Sequence, residues 1–262
     1  MLVIGERING MFKDVGKAIA DKERGVIQKL AKDQVAQGAG MLDVNVGPAA
    51  ADAVEAMKWL VEVIQEVTDT PLALDSTKPE VIEAGLKLVK KKALINSTTA
   101  KKEKLDSLLP MAKQYKAGLI GLTMGESGIP RDRHQRSEFA ARIVSACMEA
   151  QVPLEDLYLD PIILPVNVAQ AQAQEVLESI REFKLLSDPS PKTVVGLSNI
   201  SQGTKSRSLI NRTFLVMAAV CGLDAAIADP LDKELMDGLI TAELILNKHI
   251  YCASFLDARR KK

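Results

Sequence analysis

Four short apolar runs in this sequence each end close to a carboxylate or amide side chain. The four polar residues are Asp75, Asn96, Asp160 and Asn199. If the runs are parallel strands of a (β/α)8 barrel, these residues lie together on the face where barrel enzymes bind their substrates. Two aspartates and two asparagines at one mouth suit a flat heterocycle that carries several hydrogen-bond donors and acceptors.

Three of these residues also have an ordinary structural interpretation. Asp75 or Ser76 could cap a helix that starts near Pro79, because caps and early prolines are common at such joins. Asn96 could form an Asx turn, although the three residues after it supply better caps. Asn199 could cap the end of its strand or make an ordinary contact for ligand affinity.

The polar residues after the first two strands are less decisive. Glu6 and Arg7 are interpreted as an ion pair that locks the barrel rim. Asp43 and Asn45 follow the second strand, and the sequence gives them no clear role.

Two loops should lie near the predicted mouth. Residues 162–169 form a long, largely apolar stretch, which indicates a pocket wall more than a solvated connector. Gly196 would let a flat ligand approach the backbone. The polar loop 200–206 carries Gln202 and could be mobile.

Histidines and cysteines give no pattern for a metal site or a disulfide framework. His134 and His249 have no third ligand near either of them, so no metal is expected. Cys147, Cys221 and Cys252 are far apart in the sequence, which favours a reducing cytoplasm.

The overall composition is that of an ordinary globular chain. Lys plus Arg and Asp plus Glu each number 34 among 262 residues, so the net charge of zero predicts neither nucleic-acid nor membrane partners. The N-terminal apolar stretch is too short for a signal peptide. The longest apolar stretch, residues 214–223, is far shorter than the ~20 residues of a membrane span.

Strand and helix signals alternate eight times along the chain. The runs are short and apolar on both faces, as buried parallel strands should be. They cover residues 2–4, 42–44, 72–74, 94–95, 119–122, 157–159, 194–197 and 225–228. The pattern predicts an α/β fold, a single (β/α)8 TIM barrel that takes up residues 1–262 as one domain.

The apolar stretch at residues 214–223 is apolar nearly all round its helix, which is more than one barrel-facing stripe needs. The extra face should pack on something, and we predict a homodimer. The alternative is that the chain's own C-terminal segment covers this face.

Several segments together resemble the pterin-binding family. They are residues 5–9, 40–47, 74–79, 95–97, 160–161, 196–199, 209–218 and 221–229. The family includes dihydropteroate synthase and the folate domain of cobalamin-dependent methionine synthase. From end to end, the chain is similar to the family's methyltransferases that use methyltetrahydrofolate and a corrinoid/iron–sulfur protein. The ordered set is specific, although no single motif is.

The sequence also departs from parts of that family. Dihydropteroate synthase carries a basic pair where this chain has Asn199 and Ile200, and further basic residues after strand eight. A pyrophosphate leaving group needs such cations, so their absence disfavours a synthase. The chain contains no Asp-x-His-x-x-Gly cobalamin motif, so a corrinoid would have to arrive on another protein.

The resemblance implies a methyl transfer from N5 of 5-methyltetrahydrofolate to the cob(I)amide of a corrinoid/iron–sulfur protein, in the acetyl-CoA pathway. No cofactor would be bound tightly, because the partner carries the corrinoid. Alternatives are another corrinoid protein, the reverse direction, a dihydropteroate-synthase-like enzyme, or a folate binder without catalysis. The barrel mouth should stay open, without a sealing lid, so that the corrinoid protein can reach the methyl group.

The resemblance also implies roles for particular residues. The expected substrate-binding set is Asp75, Asn96, Asp160, Gly196, Ser198, Asn199, Gln202 and Arg207. Asn199 and Asp160 are the expected catalytic pair. The amide of Asn199 would donate a hydrogen bond to N5, or orient a water that Asp160 helps to hold, as charge develops in the transition state.

Overall fold

Eight parallel strands form a barrel in chain order: each pairs with the next one along the chain, and the last pairs with the first. The computed structural model describes residues 1–48 and 50–260. The strands are β1 (Leu2–Asn9), β2 (Met41–Asn45), β3 (Leu72–Asp75), β4 (Leu94–Thr99), β5 (Gly118–Leu122), β6 (Leu157–Asp160), β7 (Lys192–Gly196) and β8 (Ala225–Ala228). The predicted single (β/α)8 barrel is confirmed, and a strand lies at each of the eight predicted runs.

Helices separate the strands and form the outer layer. They are α1 (Lys13–Ala20), α2 (Arg24–Ala36), α3 (Ala53–Gln65), α4 (Pro79–Leu86), α5 (Lys102–Tyr115), α6 (Arg133–Glu149), α7 (Val166–Ala169), α8 (Gln172–Phe183), α9 (Arg207–Val220), α10 (Lys233–Ile245) and α11 (Phe255–Arg260). Short 3-10 turns lie at Leu154–Asp156 and Leu197–Ser201. None of the helices in the described ranges is long and apolar enough to cross a bilayer.

Aspartate side chains begin three of the helices. Asp52, Asp132 and Asp232 each accept a hydrogen bond from the backbone N–H three residues further on, at the starts of α3, α6 and α10. Such caps satisfy one of the orphan donors of a helix N-terminus. These helices therefore begin where the local sequence supplies an acceptor, and this sets the lengths of the loops at the barrel mouth.

Alternation along the strands divides the apolar residues between two cores. Residues such as Leu42, Leu74 and Val195 pack outward against the helices. The alternate residues fill the barrel interior, which we call the interior plug. Its buried members are Ile4, Ala73, Leu94, Ile120, Val194 and Ala225. The plug closes the barrel from below, so a ligand can enter only from the rim.

Two details of the sequence-based interpretation need correction. The apolar loop at residues 162–169 contains a short helix, α7, so it is not an irregular connector. The seventh strand ends at Gly196, one residue earlier than the predicted run, because Leu197 already begins a 3-10 turn.

Candidate active site at the barrel mouth

A layer of polar residues lies directly above the interior plug. Side chains that are two residues apart on a strand face the same side, so the residue two positions beyond a plug residue lies above it. On β3, β4 and β6 these residues are Asp75, Asn96 and Asp160, which follow Ala73, Leu94 and Tyr158. Strand periodicity alone therefore brings three of the predicted binding residues into one layer.

Strand register aligns part of this layer in a row. Asn45 is paired with Asp75 between β2 and β3, and Asp75 is paired with Asn96 between β3 and β4. Asp43 lies two residues before Asn45, closer to the interior plug. The predicted neighbourhood of Asp75 and Asn96 is thus present in the structure.

β1 and β4 each contain one extra residue at the mouth. The register of β1 against β2 shifts between Gly5 and Ile8, and that of β4 against β5 shifts between Ile95 and Thr98. Bulges of this kind bend a strand and redirect a side chain. They lie at Glu6 and Asn96, and the peptide bond after Asn96 is cis.

Two amide–carboxylate pairs tie β2 to β3 and to β4. Asn45 Nδ2 donates to Asp75 Oδ2 at 2.6 Å, and Asn96 Nδ2 donates to Asp43 Oδ1 at 3.0 Å. Neither Asp75 nor Asn96 caps a helix. Ser76 makes the local turn instead, because its Oγ accepts the Lys78 N–H at 3.1 Å. Both residues are therefore available to a ligand.

Burial dominates the electrostatics of this side of the mouth. Burial raises the pKa of Asp43 well above its usual value, and the charge of Asp75 beside it raises that pKa further. Burial also raises the pKa of Asp75, although the hydrogen bond from Asn45 opposes this. No cation pairs with either carboxyl group among the described residues. Burying a carboxylate without enough hydrogen-bond partners is unfavourable, and a ligand with hydrogen-bond donors would offset this cost.

Asp160 is the most enclosed of the predicted binding residues, with 7% of its surface exposed. Its Oδ1 accepts the Ile162 backbone N–H at 2.7 Å, and its backbone oxygen accepts the Thr123 hydroxyl at 3.0 Å. Burial raises the pKa of Asp160 to about 6, although backbone hydrogen bonds from Ile162 and Gly196 and the charge of Arg136 oppose the rise. A group with this pKa can hold or release a proton near neutral pH.

The end of β7 brings Asn199 to the mouth. Gly196 leaves room for it, since a Cβ on Gly196 would lie 3.0 Å from Asn199 Nδ2. Asn199 lies in the 3-10 turn with its side chain exposed, and in the described part of the chain that side chain has no hydrogen-bond partner. The amide is therefore neither buried nor hydrogen-bonded to a neighbour, so it is free to bind a ligand.

Ser198 connects this turn to β1. Its Oγ donates to Glu6 Oε1 at 2.6 Å. The predicted Glu6–Arg7 ion pair is wrong, because Glu6 is bound by Ser198 and Arg7 pairs with another carboxylate. Arg7 instead pairs with Asp14 at 3.7 Å and stacks on Phe12, 4.2 Å from the ring centroid.

Arg207 and Gln202 flank the same turn. Arg207 donates to Ser201 Oγ and to the Ser198 backbone oxygen, both at 3.2 Å, so it braces the 3-10 turn. Gln202 is exposed at the end of the turn. Their predicted contacts with a substrate stay predictions.

A cavity of about 440 Å³ opens beside Asp75. It lies among the loops that follow β1, β2 and β3, and its lining includes Met11, Asn45, Pro48 and Lys78. A larger cavity of about 810 Å³ lies between α8 and α9 on the side of the barrel, away from the polar layer. Of the polar residues at the mouth, Asn45 and Asp75 thus line the smaller opening.

Sequence reasoning missed three members of the polar layer. Asp43 and Asn45 had no assigned role, and Glu6 had a different one. The signal was present in the pattern Asp43-Val44-Asn45, because two polar residues two apart on a buried strand must face the same side. Glu6 could not be placed, since a bulge leaves no signature in strand periodicity.

The fold and this mouth together define a pterin-binding barrel. The family model described as "pterin binding enzyme" matches residues 12–229. The chain belongs to this family, and the resemblance seen in its motifs is confirmed.

Two curated relatives extend the comparison. The chain is 30% identical, over its full length and 97% of the relative, to a methylcorrinoid:tetrahydrofolate methyltransferase of Eubacterium limosum. It is also 30% identical over 87% of its length to the methionine synthase of Mycobacterium tuberculosis, of which the match covers 20%.

Solved structures of similar shape include two dihydropteroate synthases. The enzyme of Vibrio fischeri has a TM-score of 0.71, and that of Yersinia pestis, with a pterin–sulfa conjugate, has 0.70. Each is 18% identical, and each match covers 95% of this chain and 94% of the other. At this identity the likeness concerns the fold alone.

Proposed function

We propose that this chain is a methyltransferase that moves a methyl group between N5 of methyltetrahydrofolate and the cobalt of a corrinoid carried by a separate protein. The observation that carries the proposal is the polar layer of Asp75, Asn96 and Asp160, with the exposed Asn199 beside it. The full-length similarity to a methylcorrinoid:tetrahydrofolate methyltransferase supports it.

The polar layer suits the amino-pyrimidinone edge of a reduced pterin. That edge presents N–H donors, and the Asp75 carboxylate offers acceptors for them. Asn96 offers a carbonyl oxygen, because its N–H group is already bound to Asp43. Hydrogen bonds to charged groups contribute about 1.5–3 kcal/mol each, so two or three of them would anchor the ring.

The transfer breaks the bond between N5 and the methyl carbon and forms a bond between that carbon and cobalt. N5 leaves with its electron pair, so it must gain a proton or a strong hydrogen bond. The amide of Asn199 donates to N5 as charge develops, and its effect is therefore larger in the transition state than in the ground state. Asp160, with its raised pKa, holds the proton that an intervening water passes to N5.

The partner is the second part of the proposal. The Eubacterium limosum relative, whose name describes a methylcorrinoid as substrate, supports a corrinoid partner. We propose a corrinoid/iron–sulfur protein as that partner and the acetyl-CoA pathway as the setting, with the cytoplasm as the compartment. Exposure of Asn199 and Gln202 fits an open mouth over which such a protein can dock.

The direction of transfer has two candidates. The motifs imply transfer from methyltetrahydrofolate to cob(I)amide. The name of the Eubacterium limosum relative describes transfer from a methylcorrinoid to tetrahydrofolate, which favours the reverse direction as the second candidate. Microscopic reversibility gives the same residues the same positions in both, with Asp160 accepting the N5 proton in the reverse direction.

We also propose a homodimer through the outer face of α9. Leu209, Met217 and Val220 lie on this face and are 55%, 48% and 54% exposed. The alternative of cover by the C-terminal segment fails for the described residues, because α11 packs on α10 and leaves these side chains open. The long cavity between α8 and α9 continues the same apolar surface.

An anaerobic absorption experiment tests the proposed transfer. The chain is mixed with 5-methyltetrahydrofolate and a cob(I) corrinoid/iron–sulfur protein, and the cob(I) band should give way to the methyl-cob(III) spectrum. Mixing with the methylated partner and tetrahydrofolate tests the reverse direction. Tight folate binding without a spectral change in either mixture would show that the chain is a folate-binding protein, and it would refute the proposed methyltransferase activity.

A further inference from the structure

Asp43 and Asn45 on β2 hold the two ligand-facing side chains of β3 and β4. Asp43 is buried, with 2% of its surface exposed. Its Oδ1 accepts the Asn96 Nδ2 hydrogen at 3.0 Å. An amide is a donor at one atom and an acceptor at the other, so its orientation decides what it offers a ligand. Asp43 therefore fixes Asn96 with its carbonyl oxygen turned away from β2.

Asn45 acts on Asp75 in a related way. Its Oδ1 accepts the Gly47 backbone N–H at 2.7 Å, which settles which end of the amide is the donor. Nδ2 then donates to Asp75 Oδ2 at 2.6 Å. Asp75 Oδ1 is left without a partner among the described residues, and so is Asn96 Oδ1.

The two hydrogen-bonded pairs thus leave acceptor oxygens facing the ligand on this side of the mouth. The oxygens of Asp75 and Asn96 that have no partner among the described residues, Asp75 Oδ1 and Asn96 Oδ1, are both acceptors. If Asn96 turned over, its carbonyl oxygen would face an acceptor oxygen of Asp43, and its N–H group would oppose the N–H groups of the ligand. The hydrogen bond to Asp43 on β2 prevents this rotation of the Asn96 amide.

We infer that Asp43 is a positioning residue that keeps the Asn96 carbonyl oxygen turned toward the ligand, and so favours ligands with a row of N–H donors. Asn45 supports the same polarity at Asp75. This inference rests on the proposed function, and it adds the residue on β2 that sets which edge of a heterocycle can bind. Asp43 acts through Asn96, so its effect must disappear when Asn96 is removed.

A double-mutant cycle on 5-methyltetrahydrofolate binding tests this. Asp43→Leu removes the acceptor at similar size, and Asp43→Asn keeps an acceptor oxygen as the matched control. Calorimetry should show that Asp43→Leu weakens binding about tenfold, whereas Asp43→Asn stays within about threefold of the wild type. With Asn96→Ala already present, Asp43→Leu should weaken binding by less than about twofold. The kcat at saturating folate should change little in either Asp43 variant.

Two outcomes would overturn the inference. Equal losses from Asp43→Leu with and without Asn96 would make Asp43 a general support of the barrel. Normal binding by Asp43→Leu would mean that Asn96 keeps its orientation unaided. If thermal unfolding shows that Asp43→Leu does not fold, Asp43→Ser takes its place in the cycle, since its hydroxyl stops short of Asn96. Failure of the wild type to bind folate would count against the proposed function instead.

Discussion

Asp160→Asn should make the folded protein more stable at neutral pH, although it removes a proposed catalytic group. Burial raises the pKa of Asp160 from 3.8 to about 6 in the folded state. Between these values the folded state binds more protons than the unfolded state does. The free energy of unfolding therefore falls as the pH rises through this window, and it stays reduced above pH 6.

The size of the effect follows from the two pKa values. A difference of about two corresponds to about 3 kcal/mol at neutral pH. Asparagine is neutral at every pH, so it avoids this cost. Its Oδ1 can still accept the Ile162 N–H that Asp160 accepts at 2.7 Å. The variant should therefore exceed the wild type by about 3 kcal/mol at pH 7.5 and by almost nothing below pH 4.

Urea unfolding at a series of pH values measures this difference. Glu83→Gln is the control of opposite sign, because hydrogen bonds from Lys87 and Tyr115 lower the pKa of Glu83. The Glu83→Gln variant should have a slightly lower free energy of unfolding than the wild type at neutral pH, and this difference should disappear in acid. An Asp160→Asn variant that is no more stable than the wild type at pH 7.5, or whose gain persists at pH 3.5, would refute the reasoning. Its methyl-transfer rate should fall, which would show stability exchanged for function.

Three further outcomes are expected. Asn199→Ala should lower kcat about 10²-fold with little change in stability or folate affinity. Gln202→Ala should instead mainly raise KM. If Asn199→Ala carries out single-turnover transfer at wild-type speed, Asn199 is only an affinity contact. Asp75→Ala should weaken folate binding by about 1.5–3 kcal/mol in calorimetry, and normal affinity would remove it from the binding set. Met217→Lys together with Val220→Glu should turn a dimer into a folded monomer in sedimentation runs, and a wild type that is already monomeric at micromolar concentration would contradict the proposed interface.

The barrel could be predicted because buried parallel strands have a strong local signature. The apolar run of each strand and the turn residues after it are visible in the sequence, and closure follows from eight repeats of the unit. The positions of Asp75, Asn96 and Asp160 at the barrel mouth could be predicted for the same reason, since each directly follows such a run; their roles in binding stay predictions.

What could not be predicted depends on contacts between strands. The partner of Ser198 is Glu6, 192 residues away in the chain, and their hydrogen bond exists only because β1 closes the barrel by pairing with β8, the strand next to β7. Asp43 became interpretable once the register placed Asn96 within reach of it. The helix α7 was hidden because its four residues are too few for a helical period to show.

The bulge in β1 is held from outside the barrel. Gln34 on α2 is fully buried, and its Oε1 accepts the Arg7 backbone N–H at 3.0 Å inside the bulge. That same oxygen occupies the space of a missing side chain, because a Cβ on Gly5 would lie 2.4 Å from it. Positions 5 and 34 therefore constrain each other sterically. A larger residue at position 5 is tolerated only with a shorter one at position 34, so the pair should covary among relatives, and a library for reshaping this mouth should vary both positions at once.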